Sequence, residues 1–433
     1  MRLINPQTDV TTGGSARLSP PYMVLGALTA VYAANLLDRQ IINVLAEPIK
    51  VDLGLSDTQV GLLSGLAFAV FYTTLGLPMA MLSDRANRVR IIAACCLTWS
   101  AFTALCGLGT NFVQLALARV GVAIGEAGGT PPSYSLIMDY FPAGKRAVAL
   151  SVFTLGAPIG AMAGAFLAGT VGAAHGWRAA FLVASLPGVL FALGVLLLVR
   201  EPLRGRLDTP TASSAPRVPL LPFVALYWRD PVLRCATIAG SLAAFAFYGS
   251  SAWLAPFLMR EQGMSMAQIG IWYSLGVGLA TATGQLSGGF LADRLSKRIS
   301  GAMARIPACA FLVGFPFFVL GALAQSWPLA LTALLVASAA GILYVGPTAV
   351  IIQEAASPQQ RSLASAVYLF TANSVGLGLG PLFVGWVSDV TESRTPLGGL
   401  PLALLALSPV YILAALAFWV TAQALVKARR SQP

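Results

Sequence analysis

The most regular feature of the sequence is a series of long apolar stretches separated by short polar segments. An α-helix needs about 20 apolar residues to cross the roughly 30 Å hydrocarbon core of a bilayer, and most of these stretches are that long. The pattern predicts an all-α membrane protein with twelve transmembrane helices, at 22–46, 58–83, 89–109, 112–139, 146–172, 177–199, 232–260, 267–291, 302–323, 327–355, 361–389 and 401–427.

A longer polar break lies between the sixth and seventh helices. Residues 200–230 are rich in Pro, Ser and Thr, which is typical of a flexible linker. Residues 1–20 are polar and lack the apolar core of a signal peptide. The expected organisation is an N-terminal tail, two six-helix bundles joined by the linker, and a C-terminal tail, at 1–20, 21–199, 200–230, 231–427 and 428–433.

Composition narrows the class of protein. The chain is 57% hydrophobic and 10% charged, whereas soluble domains carry about 25% charged residues. The net charge of +11 does not indicate nucleic-acid binding, because the cations lie in short loops between apolar spans. The five cysteines and the single His175 show no metal-ligand spacing, so neither a metal nor a cofactor is expected.

Loop charge predicts the orientation. Cations concentrate in alternate loops, and by the positive-inside rule these loops, the linker and both termini are cytoplasmic. The protein is therefore expected to be a multi-pass protein of the cell membrane. The cytoplasmic cations are Arg85, Arg88, Arg90, Lys145, Arg146, Arg200, Arg204, Arg206, Arg217, Arg294, Lys297, Arg298, Arg361, Lys427, Arg429 and Arg430, against Lys50, Arg178, Arg260 and Arg394 on the other side.

The two halves repeat each other. At an offset of 209 residues, Gly54 matches Gly263, Gln59 matches Gln268, and the pair at 84–85 matches the pair at 293–294. Two parallel six-helix repeats joined by a linker are the plan of the major facilitator superfamily, whose substrate site lies between the halves near the membrane midplane. The sequence resembles that superfamily over nearly its whole length.

Short charged loops after helices 2 and 8 resemble the loop signature of the same superfamily. An Asp in such a loop can face a helix N-terminus or an Arg of the other half when the cytoplasmic side is closed. We therefore expect a cytoplasmic gate formed by Asp84, Arg85, Arg88, Arg146, Asp293, Arg294 and Arg361.

Charged residues inside helices 1 and 4 are the strongest functional candidates, because each costs about 2.5 to 3.5 kcal/mol to insert. Asp38 and Arg39 are adjacent, while Arg119 and Glu126 share one helix face. We expect Asp38 and Glu126 to carry protons, and an anionic substrate to compete for arginine. Alternatively, Arg39 with Glu126 and Asp38 with Arg119 only neutralise buried charge.

The second half offers aromatic and small polar side chains instead of charge. Phe247, Tyr248 and Ile342 stand at the positions that match Asp38, Arg39 and Glu126. A cavity with one charged and one apolar wall suits a substrate with an anionic head and an apolar body. The expected substrate-binding residues are Arg39, Asn35, Arg119, Thr130, Ser133, Tyr248, Trp253, Tyr368 and Asn373.

Two segments resemble the Spinster family and its bacterial homologues. They are helix 1 with Asn35, Asp38 and Arg39, and helix 4 from Arg119 to Glu126 with the 131–134 segment that follows it. The resemblance implies proton-coupled alternating-access transport of lipid-like amphiphiles, such as lysolipids or sphingosine phosphates. It also implies functional roles for Asp38, Arg39 and Glu126, and we expect a monomer.

Two other classes stay open. Related facilitators with similar acid-base pairs move small organic anions or drugs. A membrane enzyme or a receptor-like sensor is disfavoured, because no nucleophile, base and orienting group occur together.

Overall fold

The structure is a computed structural model that describes residues 19–207, 220–357, 360–393 and 398–430. Most of the predicted N-terminal tail, the middle of the linker and the last three residues lie outside these ranges. The described residues form the twelve predicted helices and a short linker helix, Leu220–Arg229.

The first half contains six helices. They are α1 (Pro21–Leu53), α2 (Asp57–Gly61, π-helical Leu62–Leu66 and Ala67–Arg85), α3 (Arg88–Gly107), α4 (Phe112–Ala127 and Thr130–Tyr140), and α5 and α6, which share Ala143–Thr154 and Gly156–Leu198 and are divided at Gly176.

The second half repeats this arrangement. Its helices are α7 (Pro231–Arg260), α8 (Met266–Gln268, π-helical Ile269–Tyr273 and Ser274–Ser296), α9 (Ala302–Leu323), α10 (Trp327–Ile342 and Val345–Ala355), α11 (Arg361–Asn373, π-helical Ser374–Leu379 and Gly380–Thr391) and α12 (Leu400–Arg430).

Length and composition agree with a membrane location. Nine stretches of the described residues are long and apolar enough to cross a bilayer, and one of them, Gly144–Leu198, holds both α5 and α6. The two remaining helices, α1 and α8, carry more polar residues along their length. The prediction of a twelve-helix membrane protein is confirmed.

Local signals explain why the repeat is so regular. Gly54 and Gly263 both have a φ of 63°, a left-handed conformation that glycine adopts without steric cost. The helices that follow begin with the same capping box, in which Ser56 and Gln59, or Ser265 and Gln268, exchange side-chain and backbone hydrogen bonds. Each capping box leads directly into a π-helical turn of α2 or α8.

The ends of the helices define two faces of the molecule. The backbone N–H of Arg200 donates to Ser19 Oγ at 3.2 Å, so the start of α1 lies beside the end of α6. We call this side the linker face and the other side the opposite face. The predicted helix 1 stops at 46, whereas α1 continues to Leu53 at the opposite face. Its polar last turns are stable there because Glu47 and Lys50 form ion pairs.

Small residues let the two halves approach closely toward the opposite face. A Cβ atom on Gly65 of α2 would lie 2.8 Å from the carbonyl oxygen of Gly378 on α11. Gly169 of α5 packs in the same way against the backbone of Gly270 on α8. Side chains larger than hydrogen would force these helix pairs apart.

Candidate functional site

The adjacent residues Asp38 and Arg39 point to different neighbours, because successive residues of an α-helix lie about 100° apart around its axis. Thr103 of α3 donates a hydrogen bond to Asp38 Oδ2 at 3.2 Å. Arg39 Nε donates to Glu126 Oε2 of α4 at 2.7 Å. The Glu126 side chain is 0% exposed and the Arg39 side chain is 19% exposed. The ion pair therefore has one sealed partner and one accessible partner.

Arg119 completes the group that we call the central charged cluster, formed by Asp38, Arg39, Arg119 and Glu126. The Arg119 side chain is buried, and its Nε lies 3.5 Å from the carbonyl oxygen of Leu63. Leu63 belongs to the π-helical turn of α2. Within the described part of the chain, Arg119 forms no ion pair, so the alternative pairing of Asp38 with Arg119 is not observed.

Two aromatic rings of α2 contact the guanidinium groups of Arg39 and Arg119. The Cζ atom of Arg39 lies 4.9 Å from the ring centre of Phe68 and 4.2 Å from that of Tyr72. The Cζ atom of Arg119 lies 5.1 Å from the same Phe68 ring. The buried Phe68 ring thus contacts both guanidinium groups, and cation–π attraction holds each of them.

Each carboxyl group of the central charged cluster has one oxygen free of protein donors. Among the described residues, Asp38 Oδ1 and Glu126 Oε1 are buried and have no hydrogen-bond partner. A buried oxygen without a donor is costly as an anion and is suited to hold a proton. Asn35, one turn before Arg39, is a polar neighbour of Glu126.

Asn35, Thr130 and Ser133 line a small cavity of about 190 Å³ inside the first half. Ser133 Oγ donates to the carbonyl oxygen of Gly129 at 2.7 Å, within its own helix. These three predicted substrate-binding residues therefore lie together, and Thr130 and Ser133 follow Glu126 by one to two helical turns.

The candidates of the second half divide into two groups. Tyr248 of α7 is half-buried and lies within electrostatic range of Arg39 and Tyr72 of the first half. Trp253 is buried, and its Nε1 donates to the Pro381 carbonyl oxygen at 2.8 Å.

Two candidates remain in this half. Tyr368 is 6% exposed and packs against the backbone of Gly240. Asn373 is half-buried and directly precedes the π-helical turn of α11. Tyr248 is therefore the second-half candidate that approaches Arg39, while Trp253 and Tyr368 pack between helices of their own half.

A second ionic group, at the opposite face, joins the two halves. Arg260 of α7 donates to Glu47 Oε2 at 2.6 Å and to Asp57 Oδ2 at 2.8 Å. Lys50 Nζ lies 2.7 Å from Asp57 Oδ1. Asp389 of α11 accepts hydrogen bonds from the backbone N–H groups of Asp57 and Thr58, both at 2.8 Å. We call Glu47, Lys50, Asp57, Arg260 and Asp389 the opposite-face cluster.

Asp57 is the most enclosed carboxylate of this cluster. Its side chain is 0% exposed and also accepts a hydrogen bond from Ser388 at 2.6 Å. Asp57 opens α2, and Asp389 caps the free N–H groups of that helix start. The end of α11 is therefore fastened to the beginning of α2.

The fold agrees with that of the known relatives of this chain. Residues 28–381 match the Major Facilitator Superfamily. The chain belongs to this superfamily. It is therefore a multi-pass membrane transporter rather than an enzyme.

Individual relatives indicate which branch of the superfamily this chain resembles. The solved structure of a bacterial homologue of the human lysosomal transporter Spinster, in an inward-facing and unoccupied conformation, superposes with a TM-score of 0.86. It is 30% identical and covers 97% of this chain and 100% of that chain. An MFS-type efflux pump of Mycolicibacterium smegmatis is 33% identical over 96% of both chains.

A vertebrate relative points in the same direction. The sphingosine-1-phosphate transporter of Danio rerio is 25% identical over 86% of this chain and 77% of its own length. The predicted resemblance to the Spinster family is confirmed.

In this facilitator, the residues expected to form a cytoplasmic gate lie at the linker face. Arg88 is buried and bonds Asp139 and Glu201 of its own half. Arg146 donates to the Phe141 carbonyl oxygen at 3.0 Å, and Arg361 to that of Gln353 at 3.1 Å. Each of these contacts joins neighbouring elements of the same half.

The other predicted gate residues that the structure describes are exposed at the surface. Arg85 and Asp293 are exposed, and Arg294 lies 5.9 Å from the ring centre of Phe290. The side chain of Asp84 is outside the described part of the structure. The gate therefore stays a prediction.

Sequence reasoning missed Phe68, Tyr72 and the opposite-face cluster. Phe68 and Tyr72 are four residues apart, so they share a helix face, and this spacing was a usable signal. Lys50 and Arg260 entered only as loop cations of the outer side. Their pairing with Asp57 depends on the packing of α1, α2 and α7, which no local pattern encodes.

Proposed function

We propose that this facilitator couples proton movement to the transport of an anionic amphiphile of the lysolipid or sphingolipid class. The observation that carries the proposal is the Arg39–Glu126 pair, in which the 2.7 Å bond joins a partly exposed guanidinium to a sealed carboxylate. An anion that binds Arg39 weakens this bond, and a proton on Glu126 weakens it too. Substrate and proton therefore act on the same contact.

Burial favours the neutral form of a carboxyl group, whereas a neighbouring arginine favours the charged form. When an anionic head group takes over Arg39, Glu126 loses its neutralising partner and binds a proton. Asp38 is adjacent to Arg39 on α1, and its Oδ1 has no hydrogen-bond donor among the described residues, so it is the second proton carrier. Thr103 holds the other oxygen of Asp38.

The surroundings of Arg39 support an amphiphile. Phe68, Tyr72 and Tyr248 place aromatic surface beside the one accessible cation of the central charged cluster. A head group with negative charge and an adjoining apolar chain can use both features. Asn35, Thr130 and Ser133 supply polar atoms farther along the first half.

We propose further that the linker face is cytoplasmic and that the protein works as a monomer in the bacterial inner membrane. The exposed cations of the linker face support this orientation by the positive-inside rule. Transport then alternates between a form closed by the opposite-face cluster and a form closed by the predicted cytoplasmic gate.

A proton-coupled transporter of small organic anions or drugs is the second candidate. It is favoured by the similarity to the mycobacterial efflux pump and needs the same arginine. The two candidates differ in the need for an apolar chain on the substrate.

A flux screen in proteoliposomes separates the candidates. We expect lysophosphatidylglycerol to cross the vesicle membrane faster with a pH gradient than without it, and to outcompete hydrophilic organic anions for binding to purified protein. Preferential transport of a hydrophilic anion would support the second candidate. Binding or chemical turnover without movement across the membrane would refute both.

A further inference from the structure

A large groove lies on the outer surface of the second half, away from the central charged cluster. It has a volume of about 1310 Å³ and runs between α8 and α9, with α10 as its floor. Its lining is mainly apolar and includes Leu291, Leu295, Ile306, Ala310 and Leu343.

The position of the groove places it in one leaflet of the bilayer. It follows the last turns of α8, which ends at Ser296, and the first turns of α9, which begins at Ala302. These are the linker-face ends of both helices. Leu291 is 37% exposed and Val313 is 56% exposed, so the groove opens sideways toward the surrounding lipid.

A cation lies within this apolar lining. Arg305 of α9 lines the groove, and its Cζ atom is 5.5 Å from the ring centre of Trp419 on α12. The Nε of Arg305 is buried and has no hydrogen-bond partner in the described part of the chain. A buried N–H without an acceptor is rare in folded proteins, because leaving it unpaired costs free energy.

Cations outnumber acids at the linker-face mouth of the groove, where the acids are Asp293 and Glu354. Lys297 and Arg298 are exposed in the turn between α8 and α9, next to the groove residue Ile299. With Arg305 they make the linker-face mouth of the groove positive. Basic pockets between transmembrane helices at this depth suit lipid head groups that carry net negative charge.

We propose that the groove binds one anionic glycerophospholipid of the linker-face leaflet. The phosphate accepts hydrogen bonds from Arg305, and an acyl chain fills the apolar groove. A free phosphate would leave that apolar surface uncovered. A zwitterionic lipid carries an ammonium group next to its phosphate, and repulsion between that group and Arg305, Lys297 and Arg298 disfavours it.

Native mass spectrometry of the full-length protein tests the proposal with phosphatidylglycerol and phosphatidylcholine as probes. Both lipids carry a phosphate, so the preference rests on repulsion between the choline ammonium group and the cations of the groove, and we expect about tenfold tighter binding of the first phosphatidylglycerol molecule. Arg305→Gln removes most of this preference, whereas Arg90→Gln, at an exposed linker-face position of the first half, keeps it. Ala310→Phe fills the groove and weakens the first binding event for both lipids.

Cys309 provides a readout that needs no substitution. It is exposed and lines the groove, whereas Cys235 is half-buried on α7. In nanodiscs, replacing phosphatidylcholine by phosphatidylglycerol should slow alkylation of Cys309 by N-ethylmaleimide and leave Cys235 unchanged. Equal rates in the two lipids would overturn the proposal.

Three further results would also overturn it. They are full retention of the phosphatidylglycerol preference in Arg305→Gln, an equal loss of this preference in Arg90→Gln, and displacement of the lipid by inorganic phosphate at similar concentration. The melting temperature of each variant in phosphatidylcholine confirms that the variant is folded.

Discussion

The central charged cluster and the opposite-face cluster both set a fully buried carboxylate against an arginine. Glu126 lies 2.7 Å from Arg39, and Asp57 lies 2.8 Å from Arg260. The central cluster draws all its members from the first half, whereas the opposite-face cluster joins α1 and α2 to α7 and α11. Only the second cluster must break when the halves separate at that face.

Under the proposed mechanism, this difference gives the two clusters different tasks. A buried ion pair gains little net stability, and removing one partner is costly because the other is left unpaired. In the central cluster, that cost can link the charge of Arg39 to the proton on Glu126 without moving the halves. In the opposite-face cluster, the free-energy cost of unpairing Asp57 and Arg260 opposes the separation of the two halves at the opposite face.

The largest effect is expected from Arg39→Gln. Losing the accessible cation should weaken binding of lysophosphatidylglycerol by about 30- to 100-fold, as for truncation of one partner in a buried charge pair. Isothermal titration with purified protein measures this change. Arg178→Gln is a matched control, because Arg178 pairs with Asp52 at an exposed site. Equal weakening in both variants would contradict a specific role for Arg39.

Asp57→Asn should change the conformational equilibrium rather than binding. Weakening the bonds to Arg260 and Lys50 by about 1.4 kcal/mol shifts the population toward opening at the opposite face about tenfold. Spin labels at the exposed positions Val51 and Ser393, with Cys309 replaced by Ser, should then show a longer distance in double electron–electron resonance.

The control for this experiment is Asp52→Asn. Asp52 lies near the same end of α1, but its carboxylate bonds Arg178 within the first half at 2.6 Å. It should leave the label distance unchanged. If Asp52→Asn lengthens the distance as much as Asp57→Asn, the opposite-face cluster is not the closing element.

Phe68→Leu should have the smallest effect of the three. It removes a ring that contacts both Arg39 and Arg119, and each cation–π contact contributes about 0.5 to 2 kcal/mol. We expect about three- to tenfold weaker binding of lysophosphatidylglycerol. Tyr72→Phe keeps a ring beside Arg39 and should bind within about twofold of the wild type. A loss in Tyr72→Phe as large as in Phe68→Leu would show that the hydroxyl, not the ring, matters.

The helices could be predicted from sequence because membrane insertion selects long apolar stretches, and the repeat added the shared register of Gly54 and Gly263. The end of α1 was placed too early, because Glu47 and Lys50 look like a polar loop until their partners are known. Lys50 pairs with Asp57 across the turn that follows α1. The partner of Glu47 is distant in the chain, because Arg260 lies 213 residues away.

The members of the central charged cluster could be predicted from the sequence, but their pairing could not. Isolated charges in an apolar helix stand out, so Asp38, Arg39 and Glu126 are visible in the sequence alone. Which charges pair is a tertiary property: Arg39 meets Glu126, while Arg119 turns to the Leu63 carbonyl oxygen. The π-helical turn that contains Leu63 has no clear sequence signature.

The central claim is that Glu126 links the proton to the substrate, and paired transport assays on Glu126→Gln vesicles test it most directly. Exchange of lysophosphatidylglycerol without a gradient measures substrate movement, and pyranine trapped in the vesicles measures proton movement. We predict that exchange persists while lysolipid-driven proton flux falls to the level of empty vesicles. Proton flux equal to that of the wild type would contradict the account.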